Sequence, residues 1–247
     1  KISAILDTMR NIRMVLEYDG TDFFGWQYQP HKRTVQGEIE IALSKITNET
    51  VRIIAAGRTD RGVHARGQVI NFFTSSKLGL RQMRTALNSL TADDIYVRSI
   101  SQVDDAFHSR YSAKSKVYHY YINFEPSPFT IRYNWYVGCT LDRPCMKKII
   151  PYVVGEHDFI NFSAGDENDS KLCTIFTMNL TEEYSGIIIH FEGDRFLRKM
   201  LRGIVGFMYD VGRGRFSPHD VKNVFTGSLR DIYFAPPQGL CLVEVRY

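Results

Sequence analysis

Residues 51–73 read VRIIAAGRTDRGVHARGQVINFF. Two apolar stretches, 51–56 and 67–73, flank a loop with glycines at 57, 62 and 67. That arrangement predicts two antiparallel strands joined by a tightly shaped turn. Inside the loop one carboxylate, Asp60, stands among Arg58, Arg61 and Arg66. Neighbouring cations keep a carboxyl ionised, and guanidinium groups also grip phosphodiesters. An isolated GxxDxG is more often a surface turn whose aspartate caps its own backbone, so the loop has to be weighed with the chain around it.

Upstream, 12–18 alternates as a half-buried strand, and Thr34 sits at the N-cap position of a helix over 35–47 with Ile39, Ala42, Leu43 and Ile46 on its apolar face. Downstream, a helix is expected near 80–90 and a strand near 95–102. The order β-α-β-β-α-β is that of a ferredoxin-like sheet with helices on one face. A similar order follows: a strand at 115–124, a helix at 142–154, strands at 173–183 and 186–192, helices at 195–211 and 217–225, and a strand at 240–246. The expected fold class is therefore α+β, with two ferredoxin-like (RRM-like) halves, 9–105 and 106–247. They are expected to form a continuous, mainly antiparallel sheet with helices on one face and a central catalytic cleft. Residues 1–8 precede Met9 and read as an upstream extension or a cloning remnant.

The bulk properties narrow the class. A chain of 247 residues, 44% hydrophobic and 23% charged, is an ordinary globular protein and not a disordered one. Its net charge of +4 permits a polyanionic partner without demanding one. Four cysteines without a CxxC pair suggest reduced thiols, with neither a zinc knuckle nor a disulfide framework. No apolar run approaches the roughly 18 residues of a membrane span, and no signal peptide opens the chain, so the expected location is the cytoplasm.

Two further segments carry chemistry. In Lys114-Ser115-Lys116-Val117-Tyr118-His119-Tyr120-Tyr121 basic and aromatic residues interleave on a predicted strand, so bases could stack while phosphates pair nearby. A tyrosine of the sheet core is the plainer reading of Tyr118, and both can hold at once. On the predicted helix 195–211, Leu197, Met200, Leu201, Ile204, Phe207, Met208 and Val211 share one face and Arg195, Arg198, Lys199 and Arg202 the other. Gly203 and Gly206 are poor helix formers for an exposed surface and suggest that something large approaches the backbone. Gly212-Arg213-Gly214-Arg215 either extends the basic track or caps the helix. His157 and Asp158 read as a helix start with no third ligand, so no metal site is expected.

The run Gly57–Ala65 resembles the signature loop of the tRNA pseudouridine synthase A family. The resemblance continues in Leu16-Glu17-Tyr18-Asp19-Gly20-Thr21, Phe24-Gly25-Trp26-Gln27, Thr34-Val35-Gln36-Gly37-Glu38 and Ala86-Leu87-Asn88. Later blocks are Phe107-His108-Ser109-Arg110-Tyr111-Ser112-Ala113, Gly155-Glu156-His157-Asp158-Phe159, Phe196–Arg202 and Ala235-Pro236-Pro237-Gln238-Gly239-Leu240. Arg61 departs from the family pattern, where many members have a small residue.

The resemblance implies that Asp60 is the nucleophile, that Tyr118 packs against the target uracil, that Arg202 pairs with the aspartate, and that Arg58 helps flip the base. With them, Arg61, His64, Arg66, Asn88, Arg110, Lys114, Lys116 and Arg198 form the candidate substrate-binding set. His64 is read as structural more than as a general base. The implied substrate is tRNA at uridines 38, 39 and 40 of the anticodon stem, with no cofactor, no metal, no membrane and a homodimeric enzyme. Two rivals stay open: a non-catalytic RNA-binding module, and a metal-dependent RNA phosphodiesterase using Asp60 as a ligand. The first lacks a run of RNP-type aromatics and gives the Asp60 loop no purpose, and the second wants several clustered carboxylates.

Overall fold

The computed structural model describes residues 9–164 and 171–247, so residues 1–8 lie outside the described residues. The chain divides into two compact units, the first running up to Lys114 and including Leu242–Tyr247, the second comprising Ser115–Cys241. Residue 105, the expected join, falls within the first unit.

The first unit contains β1 (Arg10–Tyr18), α1 (Val35–Thr47), β2 (Ile54–Ala55), β3 (His64–Thr74), α2 (Leu80–Leu90) and β4 (Ile95–Val103). Strand β1 lies between β3 and β4 and pairs antiparallel with both, while β2 pairs antiparallel with β3. Along β1 the alternation works as the sequence implies: Ile12, Met14, Leu16 and Tyr18 are buried, with Arg13, Val15 and Glu17 half-exposed between them. Helix α1 starts at the predicted cap, with Thr34 Oγ1 accepting from Gly37 N–H, and buries Ile39, Ala42 and Leu43. The expected strand 51–56 shrinks to two residues, because Ile53 N–H bonds to the buried carboxylate of Glu40 instead of to a strand.

The second unit contains β5 (Ser115–Asn123), β6 (Trp135–Tyr136), α3 (Arg143–Lys147), α4 (Ile150–Val153), β7 (Gly155–Asp158), β8 (Leu172–Glu183), β9 (Gly186–Gly193), α5 (Met200–Gly212) and α6 (Val221–Phe225). Strand order is β5-β9-β8-β7, antiparallel throughout, with the short β6 parallel to β5. A last strand, β10 (Leu240–Arg246), carries the chain from the second unit back to the first, where its Leu242–Arg246 portion belongs. Both units are thus mixed α+β with mainly antiparallel sheets.

Four expectations here are corrected. The helix over 142–154 is two short helices, because Pro151 has no N–H to give and its ring would collide with the Lys147 carbonyl of a continuous helix. The helix over 195–211 begins only at Met200, since Lys199 adopts φ 60°, a conformation a right-handed helix cannot contain. Arg195, Arg198 and Lys199 therefore precede the helix and do not line its face. Residues 217–225 form a 3₁₀ turn, Pro218–Asp220, capped by Ser217, and then α6. His157 and Asp158 end strand β7, although Asp158 Oδ1 does accept from Ile160 N–H at the following 3₁₀ turn.

Gly203 and Gly206 are buried, not exposed. A Cβ would stand 2.3 Å from the Phe162 carbonyl oxygen at Gly203 and 1.6 Å from that of Tyr233 at Gly206. What approaches the helix backbone is the chain's own backbone. Arg213 and Arg215 both pair with buried Asp210, at 2.8 and 3.0 Å, which favours the capping reading of that arginine pair.

Candidate active site in two parts

In the first unit the loop between β2 and β3 is fixed by its main chain. Ala56 N–H bonds to Val69 O, and the buried Gln68 side chain donates to Gly57 O at 2.8 Å. On the next residues, Tyr18 and Thr59 share a buried hydroxyl pair at 2.8 Å, and Trp26 N–H donates to Thr59 O at 3.0 Å. Gly25 takes φ +90° and lies so close that an added Cβ would come within 2.9 Å of Thr59 O and 3.1 Å of Arg61 N. Only glycine suits a position with both demands. Val63 N–H donates to Asp60 O at 3.1 Å, closing the turn, and Gly20 N–H donates to His64 Nδ1 at 3.0 Å just beyond it. Asp19 Oδ1 lies 3.2 Å from the same ring nitrogen. The result is a half-buried Asp60 carboxylate on a backbone held at both ends by the segment 18–26.

The other candidates of this unit are distributed differently. Arg58 and Arg61 are exposed on the loop, and Arg61 Cζ sits 4.4 Å from the centre of the Phe24 ring. His64 is buried at the start of β3, and Arg66 is exposed two residues on. Asn88 uses both ends of its amide on Val97, donating to its O at 3.1 Å and accepting from its N at 2.7 Å, and so ties α2 to β4. Arg110 is exposed beside the Tyr111 ring, and Lys114 N–H bonds to Arg246 O. Tyr18, Thr59 and Trp26, which support the loop, were not among the expected site residues. A tyrosine in the buried register at a strand end reads as core, and nothing in its spacing announces the hydroxyl contact.

In the second unit Tyr118 lies on β5, its ring buried and meeting Phe196 edge-on at 5.3 Å. Lys116, on the same strand, donates from Nζ to Asp194 O at 3.2 Å. Arg202 occupies the first turn of α5 and is tied to one residue by a reciprocal pair. Its Nε donates to Ala235 O at 2.7 Å, and Ala235 N–H donates to Arg202 O at 3.0 Å. Next to this pair Tyr120 is fully buried, with its hydroxyl donating to Pro236 O. Burial pushes that phenol well above its ordinary pKa, with the nearby Arg202 charge acting in the opposite sense. Arg198 is exposed ahead of the helix, and its carbonyl accepts from Ala164 N–H. Among the described residues no group of three or more His, Cys, Asp or Glu side chains gathers as a metal-ligand set. No helix among them is long and apolar enough to cross a membrane.

The sheets and loops so far define a mixed α+β protein with one carboxylate on a rigid turn and an aromatic and a guanidinium group each fixed by its own framework. A family model described as tRNA pseudouridine synthase matches residues 14–112 and 149–247. The chain belongs to that family. A tRNA pseudouridine synthase A of Caldicellulosiruptor saccharolyticus is 44% identical over 245 residues, covering 97% of this chain and 100% of the relative. One of Chlorobium luteolum is 42% identical, over 97% of this chain and 96% of the relative. Another, of Brevibacillus brevis, is 39% identical over 97% and 100%.

Proposed function

We propose that this chain isomerises uridine to pseudouridine in tRNA, at positions 38, 39 and 40 of the anticodon stem-loop, with Asp60 as nucleophile. The reaction breaks the bond from C1′ to N1, turns the uracil and joins C1′ to C5, while the proton leaving C5 is balanced by one gained at N1. No redox partner enters that balance. A stacked target base has first to leave the helix, which costs on the order of a few kcal/mol. In this reading Arg58 assists that step, Arg61, Arg66, Arg110, Lys114, Lys116 and Arg198 hold the opened RNA, and His64 and Asn88 serve it indirectly by fixing Gly20 and Val97. Asp60 then attacks either C1′ or C6. Arg202 pairs with its carboxylate and aims it, and Tyr118 stacks on the uracil and assists proton removal from C5. On this proposal the two units are ferredoxin-like halves of one continuous sheet, these three groups gather in a central cleft, and the enzyme works in the cytoplasm as a homodimer.

The observation that supports this reading best is the hold on the Asp60 backbone: Tyr18 and Trp26 on Thr59, Gly25 against Arg61 N, and the turn from Val63. A turn that merely connected two strands would not need its main chain fixed residue by residue from another segment. A catalytic carboxylate does, because small displacements of a reacting atom are costly in rate.

Unmodified tRNA transcript incubated with the protein in EDTA, followed by chemical labelling and mapping of pseudouridine, is expected to show product at positions 38–40. A binding module would give no product, and a metal-dependent phosphodiesterase would be silenced or would cut the RNA. Asp60→Asn is expected to bind tRNA and form no product; retained turnover would remove Asp60 from the mechanism. Sedimentation equilibrium is expected to return twice the chain mass, and a monomer would overturn the dimer.

A further inference from the structure

Phe24 draws two cations onto one ring. Lys32 Nζ lies 4.6 Å and Arg61 Cζ 4.4 Å from its centroid. The ring is itself fixed: Phe24 N–H bonds to Arg33 O at 2.9 Å, and the Gln29 side chain donates to Phe24 O. Next in sequence, Gly25 is pressed against Thr59 O and Arg61 N, which places this ring beside the Asp60 loop. Both cations are solvent-exposed, and the ring they contact is half-buried.

Several other cations of the first unit are neutralised by carboxylates. Arg33 is bound by both oxygens of Asp94, at 2.6 and 2.8 Å, with Glu38 also near; Arg52 pairs with Glu40 at 2.9 Å and Arg98 with Glu17 at 3.7 Å. Among the described residues neither Lys32 nor Arg61 has a carboxylate partner. Two like charges gathered on one ring repel each other, and an anion between or beside them relieves that repulsion. Contact with the ring also restricts the rotamers of both side chains, so less freedom is lost when a ligand arrives.

We propose that Lys32 and Arg61, mounted on Phe24, form a phosphate-binding subsite beside the Asp60 loop, its ligand a phosphodiester of the bound RNA. This rests on the reading of the chain as an RNA-modifying enzyme, and it gives a purpose to Arg61, the residue that departs from the family pattern. The pair neutralises backbone charge next to the nucleophile and carries no sequence information, as phosphate contacts position RNA without reading it.

The test is the salt dependence of equilibrium binding between the intact chain and unmodified tRNA transcript. Lys32→Ala and Arg61→Ala are each expected to flatten the slope of log affinity against log salt by about 1, as loss of one phosphate contact does. Phe24→Leu keeps both charges and removes their mount; it is expected to weaken binding at every salt concentration. Arg52→Ala, which removes a cation already paired with Glu40, is expected to leave the slope unchanged. Unchanged slopes in both Lys32→Ala and Arg61→Ala overturn the subsite, and so does equal flattening by Arg52→Ala, which would indicate only a diffuse positive field. Circular dichroism of each variant separates a lost contact from a lost fold. Pseudouridine formation by Asp60→Asn, measured alongside, bears on the nucleophile alone: turnover there would sink that reading while the slopes still decide the subsite.

Discussion

Removing the Tyr18 hydroxyl leaves Thr59 without its buried partner one residue before Asp60. A hydrogen bond of this kind contributes about 0.5–1.5 kcal/mol net, so Tyr18→Phe is expected to lower stability by about that amount in urea unfolding. The more telling effect is on turnover. Tyr18→Phe and Thr59→Val are expected to slow the reaction together and non-additively, whereas Thr59→Ser, which keeps the oxygen, stays near wild type. Additive losses in the double variant would show that the two hydroxyls act independently. A second residue to probe is Asn71, fully buried, whose Oδ1 accepts from Ser109 N at 2.9 Å and Ser109 Oγ at 2.8 Å, and whose Nδ2 donates to Asn11. Asn71→Leu strands the Ser109 donors and is expected to cost about 1–3 kcal/mol, read as a fall in the denaturation midpoint. Of these residues the sequence pointed to Asp60 alone, through a motif that is local. Tyr18 and Thr59 stand 41 positions apart, and no spacing rule connects a strand-end tyrosine to a loop hydroxyl.

Elements differ in how far their sequence speaks for them. Helix α1 is readable to the residue, because its cap, its apolar stripe and its end are all short-range signals. Helix α5 is not, for two reasons. Its start is displaced by the left-handed Lys199, and its surroundings are apolar on nearly every side, so the expected polar face does not exist as such. The glycines there serve contact between backbones. Gly206→Ala would push a methyl group into the Tyr233 carbonyl and is expected to destabilise the fold by about 1–3 kcal/mol or more, as overpacking does. Thermal unfolding measures it, and a melting temperature equal to that of the parent would mean that the Tyr233 segment can retreat freely. The split of 142–154 is within reach of the sequence, since Pro151 breaks a helix wherever it falls after the first turn, even though the apolar periodicity runs on past it.

Across the whole molecule, the free thiols report where the chain is packed. Cys139 is exposed, Cys145 intermediate, and Cys173 and Cys241 buried. Burial pushes the Cys173 thiol up to about 11. At neutral pH a thiol reagent is therefore expected to label Cys139 first and to reach Cys173 and Cys241 only once denaturant is added, as peptide mapping can check. Rapid labelling of Cys173 in the native protein would contradict the packing of β8. The linkage has a definite sign: an unfolded thiol loses its proton near pH ~8.5, whereas the folded one holds it to about 11. The contribution of this group to stability is thus complete below the lower value and declines as pH rises through that window.

The amino-acid sequence by itself determined the order of elements in the first unit, the alternation along β1 and the glycine-bounded loop that presents Asp60, because each is set by neighbours a few positions away. The tertiary structure decided what holds that loop, which glycines admit another backbone, and which cations near Asp60 lack a carboxylate partner among the described residues. Those properties depend on contacts between residues far apart in the chain, and hydrophobic periodicity, a local quantity, carries no information about which distant side chain will arrive.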